Sequence, residues 1–121
     1  MIKFFEDNYL LSGFIALVGA GLIFYVSGLS FGVGGVGNNW IPMIYHLLAF
    51  FFFSLFLFIY FVRGRRKKFF VVGFLFAFAY AISDEIHQFF VPGRFCTLFD
   101  IFLDITGISF ACVIYLILKY K

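Results

Sequence analysis

Long apolar stretches alternate with short polar ones along the chain. No Asp, Glu, Lys or Arg lies between Asn8 and Val62. That run is too long for one membrane span and suits two, because a helix crosses the ~30 Å hydrocarbon core with ~20 residues. A glycine-rich segment divides the run, and two further apolar stretches follow it. The pattern therefore predicts four helices, at about 9–27, 42–62, 69–88 and 98–118.

Composition supports a membrane setting. Hydrophobic residues make up 64% of the 121-residue chain and charged residues 12%, and the mean hydropathy is +1.09. These values lie outside the range of soluble globular domains. We expect an all-α integral membrane bundle of four transmembrane helices, forming a single domain over residues 1–121. Glu6 and Asp7 disfavour a signal peptide, whose first region is basic.

The charge pattern predicts the orientation. Five of the nine basic residues fall within residues 63–68, which the positive-inside rule places in the cytoplasm. Four spans then put both termini in the cytoplasm and Arg94 outside. This arrangement predicts contact with membrane lipids, and it argues against nucleic-acid binding because the basic residues form no soluble patch. Cys96 and Cys112 are expected to stay unbridged, since the helical rise separates them too far.

On each of two predicted helices, a stripe of small residues and one or more carboxylates share the same face. Gly73, Ala77 and Ala81 share a face of the third predicted helix, and Asp84 and Gln88 continue that face. The fourth helix carries a similar stripe at Asp100, Asp104, Gly107 and Ala111. Because small residues let helices approach closely in lipid, we expect the two helices to meet along these stripes.

The connection between these two helices has strong local signals. Residues 91–94 read Val-Pro-Gly-Arg, in which proline fixes φ and glycine supplies a positive φ, as in a type II turn. Thr97 is a suitable N-cap, with Asp100 three residues later in the position of a capping box. A tight turn followed by a capped helix is therefore predicted.

Four of the six carboxylates lie within residues 84–104, and this segment is the chain's candidate for chemistry. We counted residues from the cytoplasmic end of each predicted helix at ~1.5 Å per residue. By this count Asp84 and Asp104 lie roughly 21 to 22 Å from the cytoplasmic edge of the hydrocarbon core, and His46 lies about 25 Å from it. Three spans therefore bring ionisable groups to one depth in the outer third. Carboxylates there are costly against lipid, so they are expected to face one another, a histidine, Arg94 or a water-filled pocket.

Several roles fit this cluster. In a purely structural role, Asp84 and Arg94 can pair and so hold the third and fourth predicted helices together, while Asp100 caps a helix. Asp84, His87 and Asp104 with His46 include metal-ligand types, but no strict spacing marks them, so no metal is assigned. Paired buried carboxylates can also supply a general acid or couple protons to transport. Whether the protein is an enzyme and whether it carries a cofactor stay open.

The motif Asp84-Glu85-Ile86-His87-Gln88, followed by Pro92-Gly93-Arg94, Asp100, Asp104 and Gly107, resembles the VanZ-like family of small multi-pass prokaryotic membrane proteins. His46 resembles the histidine that members carry near the start of the second span. In place of the charged residues that often precede that histidine stand Met43, Ile44 and Tyr45, and Ala111 replaces a late glycine. The family takes its name from a protein linked to teicoplanin resistance, so the resemblance implies a cell-envelope protein of the prokaryotic plasma membrane.

Together these features predict a protein that binds or acts on a lipid or lipid-linked envelope precursor, and the resemblance implies an effect on glycopeptide tolerance. The candidate catalytic residues are Asp84, Glu85, His87 and Asp104. The candidate substrate-binding residues are His46, Gln88, Arg94 and Asp100. Two alternatives stay open: a non-catalytic module that packs against a membrane protein partner or a second copy of itself, and a proton-coupled transporter.

Overall fold

The computed structural model describes residues 1–29, 40–63, 68–94 and 97–121. Three parts of the chain lie outside the described residues: the glycine-rich connection, most of the basic loop, and Cys96. The prediction that Cys96 forms no disulfide with Cys112 lies outside them as well. Cys112 is a free thiol.

Five helices and no strands make up the described part of the chain. They are α1 (Ile2–Asp7), α2 (Tyr9–Ser27), α3 (Trp40–Val62), α4 (Lys68–Phe89) and α5 (Leu98–Tyr120). By length and composition, α2 to α5 can each cross a membrane. The all-α bundle with four membrane-spanning helices is thus confirmed, and the observed ends differ from the predicted ones by at most two residues.

The short helix α1 was not predicted, because its six residues carry little periodic signal. It is held by Glu6, whose carboxylate accepts hydrogen bonds from Tyr115 Oη at 2.7 Å and Lys119 Nζ at 2.6 Å. These contacts join the start of the chain to the last turns of α5. Both termini consequently lie at one end of the bundle, as an even number of spans requires.

Helix α3 is the central element, and it contacts each of the other four helices. Its side chains Phe50 and Phe58 are fully enclosed and form much of the core. At its end, Arg63 adopts φ 43° and lies over the ring of Tyr9, 3.5 Å from the ring centroid. This contact joins the end of α3 to the beginning of α2.

The small-residue stripes face α3. A Cβ added at Gly107 would lie 2.5 Å from the carbonyl oxygen of Leu47, and one added at Gly73 would lie 3.0 Å from the ring of Phe58. Both neighbours belong to α3. Helices α4 and α5 do touch each other, but the glycines of their stripes lie against α3, which differs from the expected direct pairing. The reason is that these glycines leave space for α3 itself.

The turn and the cap form as the sequence predicts. Gly93 has φ 80°, and the amide of Arg94 donates to the carbonyl of Val91 at 3.1 Å. Thr97 caps α5, where its side chain accepts from the amide of Asp100 at 3.2 Å and donates to the Asp100 carboxylate at 2.6 Å. This connection fixes the end of α4 and the start of α5 at the same end of the bundle.

Candidate functional site

Three helices bring polar side chains to one level, near the end of the bundle where α4 ends and α5 begins. His46 is the seventh residue of α3 and Asp104 the seventh of α5, while Asp84 precedes the last residue of α4 by five. At ~1.5 Å per residue, all three lie about 7 to 9 Å inside the helix ends. Since α3 and α5 run opposite to α4, these counts converge on one layer of the bundle.

A direct polar contact in this layer joins α3 to α5. His46 Nδ1 lies 2.8 Å from Asp104 Oδ1, and both side chains are buried. With Asp104 ionised and His46 neutral, the carboxylate can only accept, so Nδ1 carries the proton and Nε2 holds the lone pair. Asp104 thereby fixes the tautomer and the orientation of the imidazole, which is the role a carboxylate has beside a catalytic or metal-binding histidine.

Helix α4 contributes two carboxylates to the same layer. Asp84 and Glu85 are 4% and 1% exposed, and Gln88 Nε2 donates to Asp84 Oδ2 at 2.9 Å. One potential ligand atom from each of His46, Asp84, Glu85 and Asp104 lies within 4.8 Å of all the others. We call these four residues the carboxylate–imidazole cluster. It unites residues from three spans that are far apart in sequence.

Two oxygens of the cluster have unused hydrogen-bonding capacity. Within the described parts of the chain, Asp84 Oδ1 and Asp104 Oδ2 are buried and have no hydrogen-bond partner. A buried polar atom without a partner costs about 1 to 3 kcal/mol, and more when the group is charged. Such atoms in a membrane-spanning bundle are suited to bind a proton, a cation or a polar substrate group.

His87, a predicted catalytic residue, lies outside the cluster. Its Nδ1 is 3.3 Å from Ser27 Oγ, and its ring stacks on Phe24 with centroids 4.3 Å apart. These contacts direct the side chain toward α2. Glu85 and His87 project about 200° apart around a helix, so the spacing shows that they do not share a face, but it cannot show which of the two joins the cluster.

Two predicted binding residues lie above the cluster, Arg94 in the connection and Asp100 in the first turn of α5. Asp100 caps α5 through Thr97, which agrees with its structural alternative. Arg94 is partly exposed and follows the Pro92-Gly93 turn directly. Neither is a member of the carboxylate–imidazole cluster.

Tyr45, which the sequence marked only as a departure from the family pattern, is a neighbour of the site. Its ring meets that of His46 edge to face, with centroids 5.9 Å apart. It also lines an apolar groove of about 450 Å³ between α2 and α3. Its position directly before His46 was the only signal available, and a single neighbouring tyrosine predicts no contact by itself.

The fold and the cluster define a class of protein: a multi-pass helical membrane protein with buried carboxylates and an imidazole where three spans meet. The chain belongs to the VanZ/LLP1 family, whose family model matches residues 9–119. No curated protein and no solved structure matches the chain significantly.

Proposed function

We propose that this protein binds and chemically alters a lipid or lipid-linked envelope precursor in the prokaryotic plasma membrane, using the carboxylate–imidazole cluster. The observation that carries the proposal is the burial of His46, Asp84, Glu85 and Asp104 together inside a bundle of apolar helices. Ionisable residues are costly within a membrane and mark functional sites there.

The pairings within the cluster support acid–base chemistry. Asp104 orients His46 so that Nε2 can take a proton from a hydroxyl group or water. Gln88 holds one oxygen of Asp84, and the other oxygen is buried without a hydrogen bond from the described residues. In this proposal His46 acts as the base, and a protonated Asp84 donates to the departing group.

The groove between α2 and α3 supports a lipid as the substrate class. Its lining is almost entirely apolar and includes Gly19, Ile23, Ala49 and Phe53. Tyr45 lines the groove and also contacts His46. An acyl or prenyl chain in this groove would therefore bring its polar end toward the cluster, and Arg94 near the turn would contact a phosphate.

Membership of the VanZ/LLP1 family supports a role in the envelope, and the proposed consequence is altered tolerance to glycopeptides of the teicoplanin type. The partner-binding alternative has less support, because Gly73 and Gly107 contact α3 of the same chain. These two glycines therefore serve helix packing within the chain rather than contact with a partner.

The decisive experiment compares lipid and cell-wall precursor profiles in a deletion strain that carries no copy, the wild-type chain, Asp104→Asn or Asp100→Asn. We expect the wild type and Asp100→Asn to restore the same precursor pools and glycopeptide sensitivity. Asp104→Asn should leave the deletion profile unchanged while the protein accumulates normally in the membrane. A folded Asp104→Asn variant that restores the profile fully would refute the proposal.

A further inference from the structure

The carboxylate–imidazole cluster has the composition of a metal site. We infer that His46, Asp84, Glu85 and Asp104 bind one divalent first-row transition-metal cation. This set differs from the one considered from sequence, because Glu85 takes the place of His87. The inference concerns the cluster alone and holds whether or not a lipid is the substrate. With the ion bound, His46 and Asp84 would be ligands, and a metal-bound water would take over the acid–base parts given to them above.

The spacing of the four side chains is close to what a metal requires. Their ligand atoms lie within 4.8 Å of one another. Four oxygen and nitrogen ligands at about 2.0 to 2.2 Å from a tetrahedral zinc ion are about 3.4 Å apart. Side-chain movements of about 1 Å would therefore bring all four into coordination.

The unused oxygens are an independent indication of a ligand. Asp104 is 0% exposed, yet its Oδ2 has no hydrogen-bond partner among the described residues, and the same is true of Asp84 Oδ1. Gln88 holds the remaining oxygen of Asp84. The remaining oxygen of Asp104 contacts His46 Nδ1, and an ion bound by both residues would replace that hydrogen bond, with deprotonated Nδ1 as the ligand atom.

Charge favours a divalent ion. Three carboxylates within one buried volume repel one another, and a cation of charge +2 offsets most of that repulsion. The choice of ion follows from the imidazole, which suits zinc and similar metals, whereas magnesium and calcium favour oxygen ligands alone. Zn²⁺ matches the imidazole and Mn²⁺ matches the three carboxylates, so these two ions are the probes.

The test uses the full chain in nanodiscs, purified through a tag without histidine and stripped with chelator. Isothermal titration with Zn²⁺ and metal analysis after dialysis should give one ion per wild-type chain. Asp104→Asn and Glu85→Gln should weaken binding at least tenfold, while His87→Gln and Asp100→Asn should bind as the wild type does. Equal binding by all five proteins, or no binding by the wild type, would overturn the inference.

A second measurement avoids dependence on the folding of the cluster variants. His87→Gln leaves His46 as the single histidine of the chain. In this variant, labelled with ¹⁵N-histidine and loaded with Mn²⁺, electron–nuclear double resonance should detect coupling from the metal to one imidazole nitrogen. Bound Mn²⁺ without any ¹⁵N coupling would place the ion elsewhere and overturn the assignment.

Discussion

His46 and Asp104 meet at 2.8 Å across the contact between α3 and α5, although 58 positions separate them in the sequence. Three residues after Asp104, Gly107 lies against the α3 backbone at Leu47. A polar contact and a close backbone approach therefore lie within one turn of α5. Together they set the register of the two helices that position the site.

The first prediction concerns this pair. Removing one partner from a buried charged hydrogen bond costs about 3 to 5 kcal/mol, because the other partner is left uncompensated. His46→Ala and Asp104→Ala should each destabilise the bundle, and the double variant should be less destabilised than their sum, by about 1 to 3 kcal/mol. Unfolding in mixed micelles with increasing SDS measures this coupling. Strict additivity would show that the pair contributes nothing specific.

The second prediction concerns the packing of α5 on α3. Gly107→Ala places a methyl group 2.5 Å from the Leu47 carbonyl oxygen and 3.1 Å from the Phe51 amide nitrogen. Backbone atoms cannot rotate away, so the variant should lose about 1 to 3 kcal/mol of unfolding free energy.

Gly21→Ala is the matched control for that variant. Gly21 also lies inside a helix, but nothing surrounds the added methyl group within 4 Å. Alanine there should be neutral or stabilising by up to about 1 kcal/mol, since glycine is the weaker helix former. Similar losses for both variants would mean that helix packing does not depend on the glycine at 107.

The third prediction tests how α1 is anchored. Tyr115→Phe removes the hydroxyl that donates to the Glu6 carboxylate at 2.7 Å. A hydrogen bond to a charged group is worth about 1.5 to 3 kcal/mol, so unfolding free energy should fall by about that amount. Tyr120→Phe, on an exposed side chain of the same helix, should change little. Equal effects of the two substitutions would contradict the anchoring role of Glu6.

The fourth prediction concerns orientation. In a chain with both cysteines replaced by serine, Arg94→Cys should react with an impermeant maleimide from outside intact cells, while Lys3→Cys and Lys121→Cys should react only after permeabilisation. The expectation follows from the basic segment at residues 63–68 under the positive-inside rule. Reaction of Arg94→Cys only in permeabilised cells would invert the topology and place the cluster near the cytoplasmic face.

The sequence was sufficient to predict the features that depend on local backbone preferences or on the number of residues along a helix. Apolar stretches of about 20 residues predict spans because the bilayer sets their length. The Pro92-Gly93 turn and the Thr97 cap followed from backbone preferences of single residues, and both are present. Residue counts along each helix were enough to place His46, Asp84 and Asp104 in one layer, since helical rise is constant.

Only the tertiary structure decided how each helix is rotated about its axis and which side chains of other helices it contacts. Helical spacing placed Asp84 and Gln88 on a close-packed face, but it could not show that Glu85 joins the cluster and that His87 turns toward Ser27. Nor could it show that Gly107 meets α3. Those outcomes depend on how side chains from separate spans fill shared space, and no single span carries that information. The sequence by itself thus determined the spans and the common level of the ionisable groups along the bundle, whereas packing between helices decided which of those groups touch.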